Sequence, residues 1–412
     1  MVWLVLLLGL SAIWLTACDP NGNDSSLPPV IERIRNTDPD TADSAFVSAT
    51  LGSTLAIMGQ NLGTTKQVFL NDYPLGVNPA FVTNTTIIVQ VSDSVPTIAT
   101  DPSVPNKLRV VTNFGEAVMD FQTLPPPPQV TSIKNQFLKP GDEMVLFGRY
   151  FYFVDTVHFP GENAFVTTGI TTNSSGSTLR VRVPDNIDFS DGNNIYVVTK
   201  SGGSAATRNT QLYDEIGMIA DFDTNGALEW PWNWGWGISG DMIRNSQPGI
   251  AALDNNFGGM NQAFPAGWGW NNDKVINLAN WSGVQIFPTA PIERYDPSTP
   301  SAQYDIRFEI SVNTTASIDG LLMQFWYPST KGELQADFPI KDFVLTTDGS
   351  WHTASLNLSR LVNGNVRLNN YGEFLAGDGF LKQLRLVVQN STGADIPAVV
   401  GIDNIRVVRA AY

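Results

Sequence analysis

The chain has 412 residues, which is too long for one ordinary domain and predicts two to four. Hydrophobic residues make up 42% of it, enough for real cores, whereas charged residues make up only 15% and Gly, Pro, Asn, Ser and Thr are plentiful, which favours strands and turns. The net charge of −15 excludes the basic surface that nucleic-acid binding requires and disfavours polyanionic ligands.

Residues 1–17 form an uncharged apolar run, MVWLVLLLGLSAIWLTA, that is followed directly by Cys18, the single cysteine of the chain. A run this short predicts a secretory signal segment rather than a membrane span. The stretch LTAC resembles the bacterial lipobox, which implies cleavage before Cys18 and lipidation of that cysteine. The chain departs from that pattern because no basic residue precedes the run. The alternative is an ordinary signal peptide with an incidental cysteine. Residues 18–27 are polar and predict a flexible tether.

An internal repeat follows, and it predicts two antiparallel sandwiches over residues 28–124 and 125–213. Each matched piece is a short run of alternating apolar residues bounded by Gly, Pro or Asn. The order of these pieces resembles the IPT/TIG module, which has an immunoglobulin-like fold. The prolines of PPPP, where the copies join, favour a stiff extended spacer. The matched pieces are GSTLAIMGQNL from Gly52 with GDEMVLFGRYF from Gly141, VFLNDYP from Val68 with VHFPGEN from Val157, and LRVVTNFGEAV from Leu108 with IYVVTKSGGSA from Ile195.

Residues 214–412 predict a third domain that is also built of strands. Helical periodicity is scarce there, and we expect only short helical turns, one of them near Leu361. DGSWHTASLNLS and GIDNIRV resemble the closing strands of carbohydrate-binding jelly rolls. The predicted strands are 304–313, 320–327, 351–359, 381–390 and 399–409.

Tryptophan is concentrated in this third domain, and residues 19–213 contain none. In EWPWNWGWG, residues 229–237, it occupies every second position, and GWGWNN follows at 267–272. In an extended segment these side chains would form one stripe, spaced about 6.5–7 Å apart. Such a stripe suits either a core-facing strand or a surface on which flat sugar faces stack. The candidate sugar-contacting residues are Trp232, Trp234, Trp236, Trp268, Trp270 and Trp326, whereas Trp281 and Trp351 are expected in the core.

Few residues suggest catalysis, and no nucleophile, zinc or phosphate-loop motif is visible in the sequence. The two histidines lie far apart: His158 is expected at a surface or sheet edge, and His352 on the exposed face of its strand. Abundant carboxylates leave a glycosidase pair open. Asp221, Asp223 and Asp403 either join the first and last strands around a structural Ca²⁺ or are solvated turn carboxylates.

The whole layout resembles surface glycan-binding lipoproteins of Bacteroidetes that are encoded, in the position of SusE and SusF, with SusC/SusD-like transporters. The resemblance implies an all-β chain of two immunoglobulin-like sandwiches and a jelly-roll-like carbohydrate-binding sandwich. It also implies a non-catalytic protein that is lipid-anchored in the outer membrane and has a polysaccharide and the transporter as partners. A neutral glycan such as a β-glucan, xyloglucan or mannan suits the negative charge. The alternatives are a surface glycoside hydrolase or lyase, and a structural or adhesive protein with immunoglobulin-like spacers.

Overall fold

The computed structural model describes residues 26–38, 40, 43–190, 192–207, 210–212, 215, 217–223, 242–267, 275–280, 285–378 and 382–409. Strands account for most of the regular structure in these ranges, so the predicted all-β class is confirmed. The chain divides into two compact units, Met1–Pro127 and Pro128–Tyr412. Within the ranges above, every helix is too short or too polar to cross a membrane.

The first unit contains a sandwich of two antiparallel sheets, with the strand orders β1-β3-β7-β6 and β5-β4-β8-β9. A short parallel pair, β2 and β10, lies beside them. Its core is a single cluster of mostly aliphatic side chains that includes Ile57, Val68 and Val110. The strands are β1 (Val30–Asn36), β2 (Ser48–Thr50), β3 (Thr54–Gln60), β4 (Thr65–Leu70), β5 (Tyr73–Leu75), β6 (Val77–Val82), β7 (Thr86–Gln90), β8 (Lys107–Thr112), β9 (Gly115–Asp120) and β10 (Gln122–Leu124).

The second unit begins with a sandwich that repeats this arrangement, with the orders β11-β12-β16-β15 and β14-β13-β17-β18. The correspondence with the first unit, strand by strand, confirms the internal repeat. Its core is a separate cluster around Leu146, Val157 and Val197. The strands are β11 (Gln129–Ile133), β12 (Glu143–Arg149), β13 (Val154–His158), β14 (Phe165–Val166), β15 (Thr171–Thr172), β16 (Thr178–Arg182), β17 (Tyr196–Thr199) and β18 (Gly202–Gly203).

One glycine of the repeated motif is required for steric reasons in both copies. A Cβ on Gly59 would lie 1.9 Å from the carbonyl oxygen of Val30, and one on Gly148 would lie 2.0 Å from that of Gln129. Only glycine allows the first strand of each sandwich to approach so closely. Each first strand is irregular there, since its register shifts between Ile31 and Arg33 and between Val130 and Ser132.

The rest of the second unit is a larger sandwich. Sheet I has the order β20-β23-β32-β25-β28, and sheet II has the order β24-β31-β26-β27-β29-β30. The elements are β19 (Met218–Ala220), β20 (Ile243–Arg244), β21 (Ser246–Gln247), β22 (Ile250–Ala251), β23 (Phe257–Phe264), β24 (Val275–Asn280), β25 (Tyr304–Asn313), β26 (Leu321–Ser329), β27 (Gly332–Pro339), β28 (Asp348–Asn357), β29 (Val362–Asn363), β30 (Val366–Arg367), α1 (Tyr371–Ala376), β31 (Lys382–Asn390) and β32 (Ile396–Arg409).

Aromatic and aliphatic side chains hold sheets I and II together. In β26 the inward residues Met323, Phe325 and Tyr327 have no exposed surface, and their outward neighbours are partly exposed. The ring of Phe325 lies 5.6 Å from that of Phe308 in β25, across the sandwich. Burial of each such side chain contributes about 1.5–3 kcal/mol. The alternation therefore fixes which face of sheet II is turned away from the core.

Between its two sandwiches, the second unit contains a buried polar contact. Gln136, 3% exposed, follows β11 and belongs to the smaller sandwich. Its Oε1 accepts hydrogen bonds from Nη1 of Arg307 at 3.1 Å and from Nη2 of Arg406 at 3.0 Å, both on sheet I. Its backbone N–H donates to Oγ1 of Thr353 at 2.8 Å, and the N–H of Thr353 donates to the carbonyl of Lys134 at 2.7 Å. These contacts cover the outward face of sheet I.

The strand predictions for the third domain agree closely with the structure. The predicted strand 304–313 is β25, and the other four predicted segments overlap β26, β28, β31 and β32 with ends shifted by a few residues. A short 3-10 helix, Leu358–Arg360, lies where a helical turn was expected. The division between the second and third domains at residues 213 and 214 stays a prediction.

Candidate functional site

The outward face of sheet II combines an aromatic ring with amide and charged side chains. Its centre is Trp326 in β26, whose side chain is partly buried. The strand neighbours Phe325 and Tyr327 point into the core, so alternation directs Trp326 away from it. Of the six candidate tryptophans, Trp326 is the one in the described part of the chain, and the fold places it on a sheet face and not in the core.

Register aligns Trp326 with polar residues on both sides. Arg385 of β31 and Gln335 of β27 are its direct cross-strand partners. Asn277 of β24 pairs with Arg385, and Val362 of β29 pairs with Gln335. These five residues form one row that runs across sheet II. Neighbouring side chains in such a row lie about 4.5–5.5 Å apart at Cβ. Asn277 is 2% exposed, whereas Arg385, Trp326 and Gln335 are partly exposed and close enough to contact one ligand together.

Hydrogen bonds orient the polar groups on the β24 side of the row. Nε2 of Gln383 donates to Oδ1 of Asn277 at 2.7 Å, and Nη2 of Arg385 donates to Oε1 of Gln383 at 3.1 Å. Nη1 of Arg385 lies 3.6 Å from a carboxylate oxygen of Glu333. Within the described ranges, Nε of Arg385 has no hydrogen-bond partner. The guanidinium is therefore held in place beside Trp326.

A second set of hydrogen bonds fixes the tryptophan itself. Its Nε1 donates to Oε1 of Gln324, which also accepts from Gln389. Nε2 of Gln324 donates to Oδ1 of Asp337 at 2.7 Å. Because the indole N–H is held by the neighbouring amide, the ring plane is oriented before any ligand arrives, which lowers the ordering cost of binding.

A depression lies next to the row. It has a volume of about 470 Å³ and is lined by Gln335, Ala336, Asp337, Arg360 and Val362. Ligand sites commonly have volumes of ~300–1,000 Å³. The exposed guanidinium of Arg360 lies 4.0 Å from the ring centroid of Phe338 at the rim. This face thus offers a ring for stacking and several groups for hydrogen bonds to hydroxyls.

The remaining predicted site residues lie outside the described ranges. They are Cys18, Trp232, Trp234, Trp236, Trp268 and Trp270, and their roles stay predictions. Trp281, expected in the core, lies outside as well. Trp351, also expected in the core, is 8% exposed, packs edge-on against Phe257 and donates from Nε1 to the carbonyl of Ala251 at 2.8 Å.

The expectation for one histidine was wrong. His352 was expected on the exposed face of its strand, but it is 1% exposed, and burial lowers its pKa to about 4. His352 pairs with Ile310 and shares its face with Ala354 and Leu356, so it lies on the core side of sheet I. His158 lies exposed at the surface of its sheet, as expected.

The alternative of solvated turn carboxylates was wrong for Asp221 and Asp403. Asp221 is 7% exposed, and Asp403 has no exposed surface. Burial raises the pKa of the Asp403 carboxyl, and the negative charge of nearby Asp254 raises it further. Among the described residues, no group of three or more His, Cys, Asp or Glu side chains is arranged to hold a metal ion.

Sequence reasoning missed most of the row on sheet II. Asn277, Gln335 and Arg385 are ordinary outward residues of predicted or overlooked strands, and each strand alone shows only a polar side chain in an alternating pattern. What makes them a site is the register that aligns them with Trp326. The available signal was the excess of amide side chains at the outward positions of β31.

Parts of the chain match known proteins. Residues 212–409 match the family model described as the surface glycan-binding protein B xyloglucan binding domain. An IPT/TIG domain-containing protein of Bacteroides ovatus is 34% identical over 162 residues, which are 39% of this chain and 33% of that protein. The chain therefore spans about a third of the length of this relative.

One solved structure shares the fold along almost the whole chain. A crystal structure of a surface glycan-binding protein from Prevotella bryantii superposes with a TM-score of 0.60 at 22% identity, covering 92% of this chain and 98% of that one. A looser likeness, with a TM-score of 0.48 at 18% identity, covers 92% of this chain and 99% of a protein from a complex xyloglucan utilization locus in Bacteroides uniformis. The Prevotella protein shows that the order of β-sandwiches in this chain recurs in a surface glycan-binding protein.

Proposed function

We propose that the chain captures a neutral polysaccharide of the xyloglucan class without cleaving it, since residues 212–409 match the family model of the surface glycan-binding protein B xyloglucan binding domain. The observation that carries the proposal is the row across sheet II that contains Asn277, Arg385, Trp326, Gln335 and Val362. A pyranose face stacks on the indole, and the amide of Gln335 and the guanidinium of Arg385 bind its hydroxyls.

The net charge supports a neutral ligand. At −15 the chain repels polyanions, so an acidic polysaccharide would meet an unfavourable field. The charged groups on the face are also balanced, since Arg385 lies against Glu333 and Asp337 accepts from Gln324. Binding that depends on stacking and hydrogen bonds to an uncharged sugar is expected to be nearly independent of ionic strength.

Non-catalytic binding also suits the two carboxylates of this face. A glycosidase needs one carboxylic acid that stays protonated until it protonates the leaving oxygen. Glu333 lies 3.6 Å from the guanidinium of Arg385, and Asp337 is exposed and accepts a hydrogen bond from Gln324. Both carboxylates therefore fit the role of orienting Arg385 and Gln324.

The lipid anchor and the transporter partner belong to the same proposal. An acyl group on Cys18 would hold the protein at the outer membrane, and residues 18–27 would serve as the tether. The captured glycan would then pass to a SusC/SusD-like transporter. Labelled fatty acid is expected to enter the native protein and to be absent from Cys18→Ser; equal labelling of both would refute the anchor.

Affinity gel electrophoresis tests the function itself. Xyloglucan cast into a native gel is expected to slow the protein strongly, mixed-linkage β-glucan and galactomannan to slow it less, and pectin not at all. Retardation by xyloglucan is expected to persist when NaCl is added, since the ligand carries no charge. An enzyme would instead release reducing ends during incubation with the same polymers. Unchanged mobility in every neutral glycan would refute the proposed function.

A further inference from the structure

The smaller sandwich of the second unit carries an exposed aromatic row of its own. Phe165 of β14 pairs with His158 of β13, which pairs in turn with Tyr196 of β17. Phe165 is 50% exposed and Tyr196 is 40% exposed, and His158 is exposed as well. The neighbours Val157 and Val197 have no exposed surface, so all three rings lie on the face opposite the core.

The three rings are close enough to act together. The ring centroids of His158 and Phe165 lie 5.8 Å apart, with a tilt of 43° between the planes. Because adjacent strands lie about 4.8 Å apart, the row spans roughly 10 Å across β14, β13 and β17. Exposed aromatic side chains in register on three adjacent strands form a continuous platform, which isolated surface hydrophobic residues do not.

The platform borders a cleft with polar groups on its walls. The cleft has a volume of about 530 Å³ and includes His158 and Tyr196 in its lining. Glu162, Asn194 and Ser204 contribute a carboxylate, an amide and a hydroxyl. Gly161 and Gly203 also line the cleft, and their lack of side chains allows a ligand to approach the backbone. Rings beside short polar groups in an open cleft match the chemistry of a saccharide.

In the first unit, the surface equivalent to this platform is covered by an arginine side chain. By the internal repeat, Phe69 occupies the place of His158, and Arg109 occupies the place of Tyr196. The guanidinium carbon of Arg109 lies 4.2 Å from the ring centroid of Phe69 and covers it. Asp72 and Glu116 lie 3.7 Å and 3.5 Å from the same guanidinium. In the second copy, tyrosine replaces this arginine, so the platform is open.

We propose that the row of Phe165, His158 and Tyr196 is a second saccharide-binding site, which holds another stretch of the same neutral polymer. The identity of the ligand rests on the proposed function. A row about 10 Å wide suits one or two sugar rings, whereas a stable protein interface buries ~800 Å² on each partner. Two sites on one chain raise the affinity for a polymer above that for a short fragment, because the second contact becomes intramolecular.

The test compares Tyr196→Ala with the native protein in gels of graded xyloglucan concentration. Tyr196→Ala is expected to weaken polymer binding about three- to tenfold, the size of one lost stacking contact. Tyr196→Phe keeps the ring and is expected to restore binding. Phe81→Ala removes a comparably exposed ring, 53% exposed in β6 of the first unit, and is expected to bind like the native protein.

The outcomes separate the two proposals. Retardation of the native protein together with full retardation of Tyr196→Ala and of His158→Ala would overturn the second site and leave the proposed function standing. Free migration of the native protein in every neutral glycan would overturn the proposed function, and the second site with it. Added to Trp326→Ala, the Tyr196→Ala change is expected to lower polymer affinity further, because the two sites are separate. An unchanged affinity in that background would also contradict the second site.

Discussion

Trp326→Ala is expected to lower the affinity for xyloglucan by about thirtyfold or more. Truncation of a central aromatic contact in a binding site typically costs ~2 kcal/mol or more, and each 1.4 kcal/mol is a factor of ten. The change removes the stacking surface at the centre of the row and also releases Gln324, which accepts the indole N–H. Titration calorimetry with xyloglucan oligosaccharides measures the loss, and Trp326→Phe, which keeps a ring, is expected to recover most of it.

Leu322→Ala is the matched control for this experiment. Leu322 is an outward, partly buried residue of the same strand, and its partner Pro339 is apolar. Its truncation is expected to leave binding unchanged, because it lies four residues along β26 from Trp326, about 13 Å at the usual rise. Native-like affinity of a folded Trp326→Ala protein would move the site away from sheet II. Sugar binding would then have to depend on the other predicted contact residues, which are Trp232, Trp234, Trp236, Trp268 and Trp270.

The fold could be predicted from the sequence because its signals are local. Alternating apolar residues gave β25, β26, β28, β31 and β32, since period-two patterns reveal which residues of a strand enter a core. The repeat was visible because each sandwich requires a glycine at the same place, Gly59 or Gly148, where its first strand lies against the backbone of the next strand in the sheet. Neither inference needed knowledge of which strands are neighbours.

The site could be predicted only in part, because it depends on register. Trp326 was identifiable as an aromatic residue at an outward position, but Asn277, Arg385 and Gln335 join it only through pairing between strands that are distant in sequence. The error at His352 has the same origin. Trp351 and His352 were assigned to the core face and the exposed face of their strand, but the pairing with Ile310 places His352 on the core face.

Sheets I and II therefore differ in what their outward faces do. The outward face of sheet I is covered around Arg307 and Arg406 by the segment that contains Gln136. The row on sheet II, in contrast, contains partly exposed residues. Glu309, with no exposed surface, receives two hydrogen bonds from Arg406 at 2.7 and 3.2 Å and one from Thr353 at 2.8 Å. The charges on sheet I thus neutralise one another and hold the smaller sandwich in place.

Glu309→Ala is accordingly expected to destabilise the second unit by about 3–5 kcal/mol, because it leaves the guanidinium of Arg406 buried without its carboxylate. Tryptophan fluorescence during urea unfolding measures this change in the third domain specifically, since residues 19–213 contain no tryptophan. The matched control is Asp319→Ala, which breaks the exposed pair with Lys341 at 2.9 Å and is expected to leave the midpoint unchanged.

A double variant separates the loss of the ion pair from the loss of packing. Glu309→Leu with Arg406→Met replaces both charges by apolar groups of similar size, and buried pairs replaced in this way are often neutral in stability. The double variant is expected to be markedly more stable than Glu309→Ala, with Gln136 still accepting from Arg307. If the two variants unfolded at the same urea concentration, the cost would come from lost packing and not from an uncompensated charge. Oligosaccharide binding at sheet II is expected to survive in both, because Trp326 and its row lie on the opposite sheet of the sandwich.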